Sequence, residues 1–422
     1  MSVEYGKKRK KNSFQDQTSN DYFLQGEKMI YTEICWQPEK SRIYLGSPSI
    51  CRAPDGSLIA AHDYFRGKSY HGVNPNQVSS LTRIFRSEDD GQTWKNISHF
   101  ENSFWGTLFT VQGKLWMMSC SHEYGDVLLR CSEDNGWTWS IPFSPEEGLL
   151  LKVGPEPDRE NWHFSATPVC VFNGRIYKGL EDFRSNRAWN PASFAAGILS
   201  APVDCDLLKA ENWTVSNMLL FDREQANRVS PGCAYERSGW MEGNPVPLPD
   251  NSGIVNITRL QITNVNSAGM IRVYDDGSRV EFDPSTDIIA FPGGGIGKFT
   301  VRKDPVTGFY FTLSNPYRKL TDIYSGRSIL SLSCSADLRN WYLLSDIYTD
   351  DTGQEEEISV KQTGFQYADW QFDGDDLIAV VRVAYRGAHT YHDSNRIWFR
   401  RIRNFRRFLP EGGTFKQPPN VF

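Results

Sequence analysis

The stretch Ser87-Glu-Asp-Asp-Gly-Gln-Thr-Trp94 returns almost unchanged as Ser132-Glu-Asp-Asn-Gly-Trp-Thr-Trp139. Each copy follows a short apolar run and precedes further strand-like residues, which is the pattern of a hairpin turn. In such a turn Ser and Asp side chains hydrogen-bond to the backbone, Gly supplies a positive φ angle, and Trp returns to the apolar layer. Because these four residue types recur together, we interpret the stretch as a structural motif and name it the Ser-to-Trp turn.

The spacing of the two turns indicates the architecture. The second Ser-to-Trp turn begins 45 residues after the first, which is close to the length of one four-stranded blade of a β-propeller. Degenerate forms that keep an acid and the Trp occur at 204–213 and 335–341. A content of 13% aromatic residues, with 34 Gly and 22 Pro, suits many short strands and tight turns. The sequence therefore predicts an all-β propeller with the Ser-to-Trp turns at its outer rim.

The number of blades and domains follows from the strand pattern. Grouping the strand-like segments between turn signals gives six units, preceded by a strand at 29–36 that could close the ring against the C-terminus. A seventh blade would have to come from the two chain ends, or from the long gaps at 143–162 and 214–240. We expect the polar residues 1–28 to be disordered and residues 29–422 to form a single propeller that is the catalytic domain.

Charge and hydropathy exclude several classes of protein. A formal net charge of −5 argues against the phosphate-neutralising surface of a nucleic-acid-binding protein. The basic run from Lys7 to Lys11 is interpreted as a solvated tail rather than a nuclear address. The sequence has no apolar run near 18 residues and no secretion signal at its start. We therefore expect no membrane partner and a cytoplasmic protein, or a secreted one if a leader is missing from this sequence.

Chemistry is expected where the first strands of all blades converge on an axial funnel, away from the Ser-to-Trp turns. Polar residues beside strand ends recur in most units, and we weigh the following as candidates: His62, Asp63, His122, Glu123, Tyr124, His163, Glu181, Asp182, Arg184, Glu242, Asn244, Arg259, Lys298, Gln366, Tyr367, Asp369, Arg382, His392, Asp393 and Asn395. Several Arg and His side chains around one funnel favour an anionic ligand, because Arg binds carboxylates bidentately. The sequence contains no metal-binding His pair, nucleophile elbow or phosphate loop.

Two candidates differ in how strongly the sequence supports a role. His62 ends an apolar strand and begins a polar break, which favours a role beyond packing. Arg184 follows Glu181 and Asp182 closely and could simply pair with one of them.

A succession of motifs carries a resemblance to a known family. The motifs lie between residues 42 and 406 and read Ile-Tyr-Leu-Gly-Ser-Pro-Ser-Ile, Ala-Ala-His-Asp-Tyr-Phe, His-Glu-Tyr-Gly-Asp, Trp-Met-Glu-Gly-Asn, Gly-Lys-Phe-Thr-Val-Arg, Gly-Phe-Gln-Tyr-Ala-Asp-Trp and His-Asp-Ser-Asn-Arg-Ile. In these motifs the chain resembles the L-rhamnose-α-1,4-D-glucuronate lyases and related α-L-rhamnosidases that act on arabinogalactan and gum arabic. Its Ser-to-Trp turns resemble the Asp boxes of the broader group of sialidase-like propellers. The resemblance implies seven blades, with six as the alternative from the strand count.

The resemblance also implies a β-elimination from glucuronate. A base removes the C5 proton, the bond from C4 to the rhamnosyl oxygen breaks, and a 4,5-unsaturated uronate remains. The carboxylate charge must be neutralised for the C5 proton to leave, and an acid must protonate the leaving oxygen. Within the motifs that match the family, we assign the proton-transfer roles to His62, His122 and Tyr124. Substrate binding is assigned to Arg184, Asn244 and Arg259 at the carboxylate, and to Gln366 and His392 in the pocket wall.

Three other functions remain open. An α-L-rhamnosidase would hydrolyse the same linkage and leave a saturated uronate. A sialidase-like exo-glycosidase would need a Tyr–Glu pair and three arginines, which Arg184, Arg259 and Arg382 could supply, but the Phe/Tyr-Arg-Ile-Pro signature of that group is missing at Arg42. A non-catalytic carbohydrate-binding propeller would keep the aromatic funnel and tolerate the loss of His62.

The expected partner is an oligosaccharide or polysaccharide that contains uronic acid, bound by a monomer. The elimination requires no cofactor, and no residues are assigned as metal ligands. A structural calcium ion in the channel would be compatible with the resemblance.

Overall fold

A computed structural model describes residues 29–66, 81–154, 161–184, 189–232, 236–262, 265–416 and 418–419. The predicted N-terminal segment 1–28, with its basic run, lies outside the described residues. Within them, 28 strands form six antiparallel sheets, which we number as blades in chain order. None of the helices in this part of the chain is long and apolar enough to cross a membrane.

One strand, β1 (Thr32–Trp36), precedes the first blade. Blade 1 consists of β2 (Ile43–Leu45), β3 (Ser49–Arg52), β4 (Leu58–Arg66), β5 (Leu81–Ser87) and β6 (Lys95–Glu101). Blade 2 consists of β7 (Phe104–Val111), β8 (Lys114–Cys120), β9 (Val127–Ser132) and β10 (Leu149–Leu151). Blade 3 consists of β11 (Trp162–His163), β12 (Cys170–Phe172), β13 (Arg175–Phe183), β14 (Phe194–Pro202), β15 (Thr214–Val215) and β16 (Leu219–Leu220).

The other three blades follow in the same order. Blade 4 consists of β17 (Gly239–Pro247), β18 (Ile254–Gln261), β19 (Ser267–Tyr274), β20 (Arg279–Glu281) and β21 (Ile288–Ala290). Blade 5 consists of β22 (Thr300–Lys303), β23 (Tyr310–Ser314), β24 (Ile329–Ser335) and β25 (Trp341–Thr349). Blade 6 consists of β26 (Gly364–Asp373), β27 (Asp376–Ala384), β28 (Arg396–Ile402) and β1. Short helices span Arg223–Val229, Pro284–Asp287 and Glu356–Gln362.

The blades form a closed ring. First strands of neighbouring blades contact one another: β3 packs against β7, β17 against β22, and both β22 and β3 against β26. At the outer edge of blade 6, β1 pairs with β28, with Thr32 opposite Phe399 and Trp36 opposite Arg396. The prediction that the N-terminal strand closes the ring against the C-terminal part of the chain is confirmed.

Each interface between adjacent blades buries one apolar cluster. Between blades 6 and 1, Leu45, Ile50 and Phe85 pack against Ile378 and Phe399. Five further clusters join blades 1 and 2, 2 and 3, 3 and 4, 4 and 5, and 5 and 6. Because full burial of one Leu, Ile or Phe side chain contributes about 1.5–3 kcal/mol, the packing of successive sheets holds the ring together.

The six sheets confirm the six units counted in the sequence and correct the seven blades that the resemblance implies. The segments considered for a seventh blade belong elsewhere. Strand β1 is the outer strand of blade 6, and β10, in the gap at 143–162, is the outer strand of blade 2. The gap at 214–240 contains β15 and β16, which pair with β14 in blade 3. Among the described residues no further sheet is formed.

The Ser-to-Trp turns have the hydrogen bonds that the sequence predicts. In the first turn, Asp89 accepts hydrogen bonds from Ser87 Oγ at 2.8 Å and from the backbone N–H and Oγ1 of Thr93 at 2.8 and 2.6 Å. These bonds lower the pKa of Asp89 to about 2, and the bond from Thr93 Oγ1 has the largest effect. The indole of Trp94 donates to the carbonyl of Gly91 at 3.2 Å. The second turn repeats the same bonds.

A buried carboxylate joins blades 1 and 2. Asp63 Oδ1 accepts a hydrogen bond from Thr82 Oγ1 at 2.8 Å, and its Oδ2 accepts one from the backbone N–H of Trp105 at 2.8 Å. Burial raises the pKa of Asp63 from 3.8 to about 7 despite these bonds. The folded protein therefore retains a proton on Asp63 at pH values where the unfolded chain has released it.

The first Ser-to-Trp turn contacts the closing blade, and glycine substitutions test that contact. Gly91 has a φ of +90°, and a Cβ there would lie 2.0 Å from Cε1 of Phe399, whereas Gly56 has a φ of +89° with no atom within 4 Å of such a Cβ. Both Ala variants incur a left-handed backbone cost of about 1–2 kcal/mol. Only Gly91→Ala must also displace an aromatic ring, so we expect it to lose at least about 1 kcal/mol more free energy of unfolding in urea. Equal losses would contradict the contact.

The raised pKa of Asp63 predicts a pH-dependent stability. Between about pH 4 and pH 7 the folded state binds more protons than the unfolded state, so its stability relative to Asp63→Asn falls as pH rises, by at most about 1.4 kcal/mol per pH unit. Urea denaturation of both proteins across this window measures the difference. Asp304→Asn is the control. Burial acts to raise the pKa of Asp304, but Arg406 and nearby hydrogen bonds outweigh it and lower the pKa, so above about pH 5 the carboxylate is ionised in both states. A difference in stability between wild type and Asp63→Asn that does not change with pH would contradict the prediction.

Candidate functional site

Three first strands carry the same irregularity near the axis. In β7, β17 and β26 one extra residue is inserted against the second strand of the blade. At these bulges Trp105, Glu242 and Tyr367 have φ angles of 54°, 64° and 54°. A left-handed backbone at a non-glycine residue costs on the order of 1–3 kcal/mol and is concentrated at functional sites, where bulges re-aim side chains. The bulges of blades 2, 4 and 6 are therefore the starting point for the candidate site.

Three buried arginines, from blades 4, 5 and 6, surround Tyr367, and we call them the arginine cluster: Arg259, Arg327 and Arg382. Arg259 Nη1 lies 3.4 Å from Tyr367 Oη and 3.5 Å from Glu242 Oε2. The guanidinium carbons of Arg327 and Arg382 lie 5.3 and 5.0 Å from the centre of the Tyr367 ring. In the described part of the chain, Tyr367 and Glu242 make no direct hydrogen bond, because the Arg259 guanidinium bridges them.

Two members of the arginine cluster, Arg327 and Arg382, are held in place by neutral groups. Arg327 donates to the carbonyl of Ile296 at 2.6 and 3.2 Å and to Oε1 of Gln366. Arg382 donates to Ser394 Oγ at 3.1 Å, and the same hydroxyl accepts a bond from Gln366 Nε2 at 3.2 Å. Because these partners carry no charge, they orient the guanidinium groups without neutralising them.

The electrostatics of the arginine cluster favour an anionic ligand. Burial lowers the pKa of Arg382 to about 10. Burial also acts to lower the pKa of Arg259, but Glu242 and Tyr367 outweigh it and the pKa is raised. Arg259 Nε is buried with no hydrogen-bond partner among the described residues. Glu242 contacts Arg259, and Asp393 is a second negative charge that acts on Arg382, but two carboxylates do not offset three guanidinium groups. The excess of positive charge is one that a further anion would balance.

A second group of side chains, the aromatic cluster, lies in blades 2 and 3 and contains Trp105, Tyr124, His163, Phe183 and Phe194. The ring centres of Trp105 and His163 are 4.3 Å apart, and those of Tyr124 and Phe183 are 4.4 Å apart. Phe194 lies 4.7 Å from Phe183 and 5.0 Å from His163. Trp105 and Tyr124 remain partly exposed, so the cluster presents an apolar surface with a phenol and an imidazole in it.

The two clusters adjoin along the bulge of blade 4. Met241 packs against the two Phe rings of the aromatic cluster, and its sulfur lies 4.0 Å from Arg259 Nη1. Glu181 Oε2 lies 2.9 Å from His163 Nδ1, and its Oε1 accepts a hydrogen bond from the N–H of Gly243 at 3.0 Å. One continuous site can therefore offer cations on one side and an aromatic wall on the other.

The structure does not support the predicted proton-transfer role of His62. Its ring is buried at the interface of blades 6 and 1, 5.3 Å from Phe85, and its Nδ1 lies 3.1 Å from the carbonyl of Asp63. Burial lowers the pKa of His62 to about 4. On strand β4 it shares the face of Ala60 and Tyr64, which belongs to the apolar core.

The other two predicted proton-transfer residues lie in the loop from β8 to β9. Tyr124 is part of the aromatic cluster, and its hydroxyl donates to Glu123 Oε1 at 3.3 Å. Burial, followed by the charge of Glu123, raises the pKa of Tyr124 well above its usual value. His122 is partly exposed, with Nδ1 2.9 Å from Ser121 Oγ.

Three of the five predicted substrate-binding residues meet at the arginine cluster. Arg259 is a member of it, and Gln366 holds Arg327. The carbonyl of His392 accepts a hydrogen bond from Arg382 at 2.5 Å, and 58% of its side chain is exposed. His392 therefore stands at the mouth of the site.

The remaining two predicted binding residues have structural partners. Arg184 Nε donates to Asp182 Oδ2 at 2.5 Å, with 46% of its side chain exposed. Asn244 is buried; its Nδ2 donates to the carbonyl of Glu242 at 3.0 Å and its Oδ1 accepts from the N–H of Val301 at 3.1 Å. Asn244 thus braces the bulge of blade 4, and among the described residues no hydrogen bond or ion pair joins Arg184 or Asn244 to the arginine cluster.

Sequence reasoning missed Arg327 and gave Glu242 and Tyr367 no role. Arg327 lies in a turn directly before β24, outside the strand ends on which the candidates were chosen. The sequence does carry a signal for bulges at Glu242 and Tyr367. Each of these residues is followed by a small residue, Gly243 or Ala368, within a strand-like run.

The axial donor groups do not fit the calcium ion that the resemblance allows. Calcium requires several oxygen ligands. Lys178 Nζ donates to the carbonyls of Ser165 and Thr167 at 2.9 and 2.6 Å, and Lys298 Nζ donates to that of Ala166 at 2.7 Å. Two buried ammonium groups therefore occupy the carbonyl oxygens. The described residues contain no cluster of three or more His, Cys, Asp and Glu that could hold a metal.

Comparison with known proteins gives a fold likeness at low identity. No protein-family model matches the sequence, and no curated protein matches it. An α-L-arabinanase of Penicillium chrysogenum complexed with arabinobiose is 13% identical, with a TM-score of 0.52 over 90% of this chain and 99% of that one. An α-L-arabinofuranosidase of Fusarium graminearum is 14% identical (TM-score 0.53, 88% and 97%), and a Hadza microbial sialidase is 15% identical (0.56, 89% and 68%). At these identities the likeness shows the fold alone: the chain shares the fold of these proteins.

Proposed function

We propose that the protein is a carbohydrate-active enzyme that acts on an acidic glycan. The observation that carries the proposal is the convergence of Arg259, Arg327 and Arg382 on Tyr367 between two strained bulges. Buried guanidinium groups oriented by neutral partners are suited to a sugar carboxylate. The names of the similar structures, an arabinanase, an arabinofuranosidase and a sialidase, support a saccharide as the ligand.

The finer proposal is a lyase that removes terminal L-rhamnose from D-glucuronate, as the sequence resemblance implies. The C5 proton of glucuronate is weakly acidic while the carboxylate keeps its charge. The arginine cluster would neutralise that charge and stabilise the developing enolate, since preorganised cations in a buried site act strongly on charge that forms in the transition state.

The aromatic cluster would supply the proton transfers. In D-glucuronate the C5 proton and the C4 oxygen lie on the same face of the ring, so the base and the acid must approach from one side. Tyr124 is the acid we assign, because its raised pKa keeps the phenol protonated at neutral pH. The base takes the C5 proton, the electron pair forms the C4–C5 double bond, and the C4–O bond breaks toward oxygen. Tyr124 then protonates that oxygen, which gives L-rhamnose and a 4,5-unsaturated glucuronate.

Three alternatives use the same residues. An α-L-rhamnosidase would add water at rhamnose C1. A sialidase-like exo-glycosidase is favoured by the three arginines together with Tyr367 and Glu242, although Arg259 lies between that Tyr and Glu. A non-catalytic carbohydrate-binding propeller would bind the same acidic sugar without turnover.

Product analysis distinguishes these functions. We expect incubation with gum arabic to release L-rhamnose and to form a uronate end with the ultraviolet absorbance of a conjugated enol ether. Its mass should be one water lower than that of a saturated uronate. A saturated end would identify the hydrolase, and release of sialic acid from a sialoside would identify the sialidase-like enzyme. Binding of gum arabic without any product would leave the non-catalytic propeller.

The carboxylate contact is tested at Arg259. A charge-assisted hydrogen bond contributes about 1.5–3 kcal/mol, so Arg259→Gln should raise KM for a uronate substrate about 10- to 100-fold. Arg86→Gln is the matched control, because Arg86 is 10% exposed and pairs with Asp55 beside the Ser-to-Trp turns at the opposite rim. We expect that control to keep the wild-type KM. An unchanged KM in Arg259→Gln, with both variants folded by circular dichroism, would contradict the assignment.

A further inference from the structure

We infer that His163 is the group that removes the C5 proton and that Glu181 is its positioning residue; this inference rests on the lyase proposed above. Neither residue belongs to the set assigned from the sequence motifs. The argument comes from the contacts of the imidazole, from its place in the aromatic cluster, and from a comparison with His62.

The contact with Glu181 selects one tautomer of the imidazole. Glu181 is fully buried and lies 2.9 Å from His163 Nδ1, so Nδ1 carries the proton and donates it to the carboxylate. Nε2 then bears the lone pair. In the described part of the chain no hydrogen bond to Nε2 is formed, and the side chain keeps 5% of its surface exposed. A carboxylate that orients an imidazole and stabilises its protonated form is a recurrent feature of proton-transfer sites.

Glu181 also links this pair to the carboxylate-binding side of the site. Its second oxygen accepts the N–H of Gly243, the residue after Glu242 in the bulge of blade 4. The same carboxylate therefore positions the imidazole in blade 3 and the bulged backbone that carries Glu242 toward Arg259. A rigid anchor shared in this way fixes the distance between the imidazole base and the arginine cluster. The arginine cluster is where the negative charge would be stabilised as the C5 proton leaves.

The surroundings of His163 match the stereochemistry of the elimination. Its ring lies 5.9 Å from that of Tyr124, with 29° between the planes, and 4.3 Å from that of Trp105. The two proton-transfer groups thus belong to one wall, as removal of the C5 proton and protonation of the C4 oxygen on one ring face require. During the step Nε2 gains the C5 proton while Tyr124 gives its own to the leaving oxygen. Release of the proton from the imidazolium to solvent and uptake of one by the phenolate then restore both groups.

His62 provides an internal comparison. It is also buried, but its Nδ1 faces a backbone carbonyl, and its unpartnered Nε2 is enclosed in the core between blades 6 and 1. Burial and an unpaired ring nitrogen are therefore not sufficient to assign a histidine a role in proton transfer. What distinguishes His163 is the carboxylate partner and the position beside partly exposed aromatic residues.

The first test requires no turnover. Diethyl pyrocarbonate modifies accessible imidazole nitrogens, and peptide mass mapping after treatment of the folded protein identifies the histidines that react. We expect His163 to be labelled, the label to be lost when D-glucuronate is present, and His62 to react only after unfolding. Absence of labelling at His163, or labelling that glucuronate does not reduce, would overturn the inference.

The second test uses turnover of gum arabic. Loss of general base catalysis typically costs about 10²- to 10⁴-fold, so His163→Ala should lower kcat by that factor, and added imidazole should restore part of the rate. If His163→Ala does not fold, the same rate is measured with His163→Gln. Glu181→Gln should lower kcat with KM unchanged. His99→Ala, on the exposed outer strand β6, is the control that should keep the wild-type rate.

The outcomes separate the two proposals. If the wild-type protein forms the unsaturated uronate and His163→Ala forms it at the wild-type rate, the inference fails and the lyase stands. If the wild-type protein forms none, the lyase fails, and with it the role of His163 as its base. Labelling blocked by glucuronate would then show only that His163 lines an acidic-sugar pocket.

Discussion

The antiparallel pairing of β1 with β28 closes the ring, and the geometry of the site depends on that closure. The arginine and aromatic clusters draw their members from blades 2 to 6, so they meet only when all the sheets are wound around one axis. An open ring would leave the apolar faces of blades 6 and 1 in water and an unpaired strand at the edge of blade 6. A backbone ladder near residue 32 thus controls the distances between side chains more than 200 residues away along the chain.

Closure alone does not build the site, because the bulges that present its residues are strained. Each strained segment is held by a buried polar side chain from a neighbouring element. Asp63 accepts the N–H of Trp105, Glu181 accepts an N–H in the bulge of blade 4, and Thr300 donates to a carbonyl in the bulge of blade 6 at 2.9 Å. The hydrogen bonds offset the cost of the unusual backbone angles. Polar residues in the core therefore shape the candidate site by holding the backbone of the bulges, in addition to any contact that their own side chains make with a ligand.

Much of the fold could be predicted because its signals are local. The Ser-to-Trp turns carry their own hydrogen bonds, and the six units follow from turns and apolar runs that are contiguous in sequence. The seventh blade was a wrong expectation because β1, β10 and β15 are short outer strands that complete existing sheets. Strand identity is visible in the sequence, but membership of a sheet depends on partners far along the chain.

The site was less predictable, for physical reasons that individual residues illustrate. His62 stands at a strand end, yet the alternation of β4 directs its ring into the core with Ala60 and Tyr64. Arg259 and Gln366, both chosen from the sequence, lie at the arginine cluster. Arg327 reaches the same place from a turn, and a bulge changes the direction of every side chain near it, which periodicity cannot reveal.

The buried lysines have a consequence for how a substrate could be handled. Lys298, just before β22 of blade 5, donates to the carbonyl of Ala166, which lies between β11 and β12 of blade 3, and Lys178 donates to the carbonyl of the neighbouring Ser165. Burial lowers the pKa of these two groups to about 8 and about 7, but their carbonyl partners remain in place. Both side chains are fully buried, so they fill space between blades 3 and 5. In the enzyme that we propose, a filled base of this kind would prevent a polymer from threading through the ring. Only the tip of a branch would enter, and the released sugar would leave by the mouth through which it came.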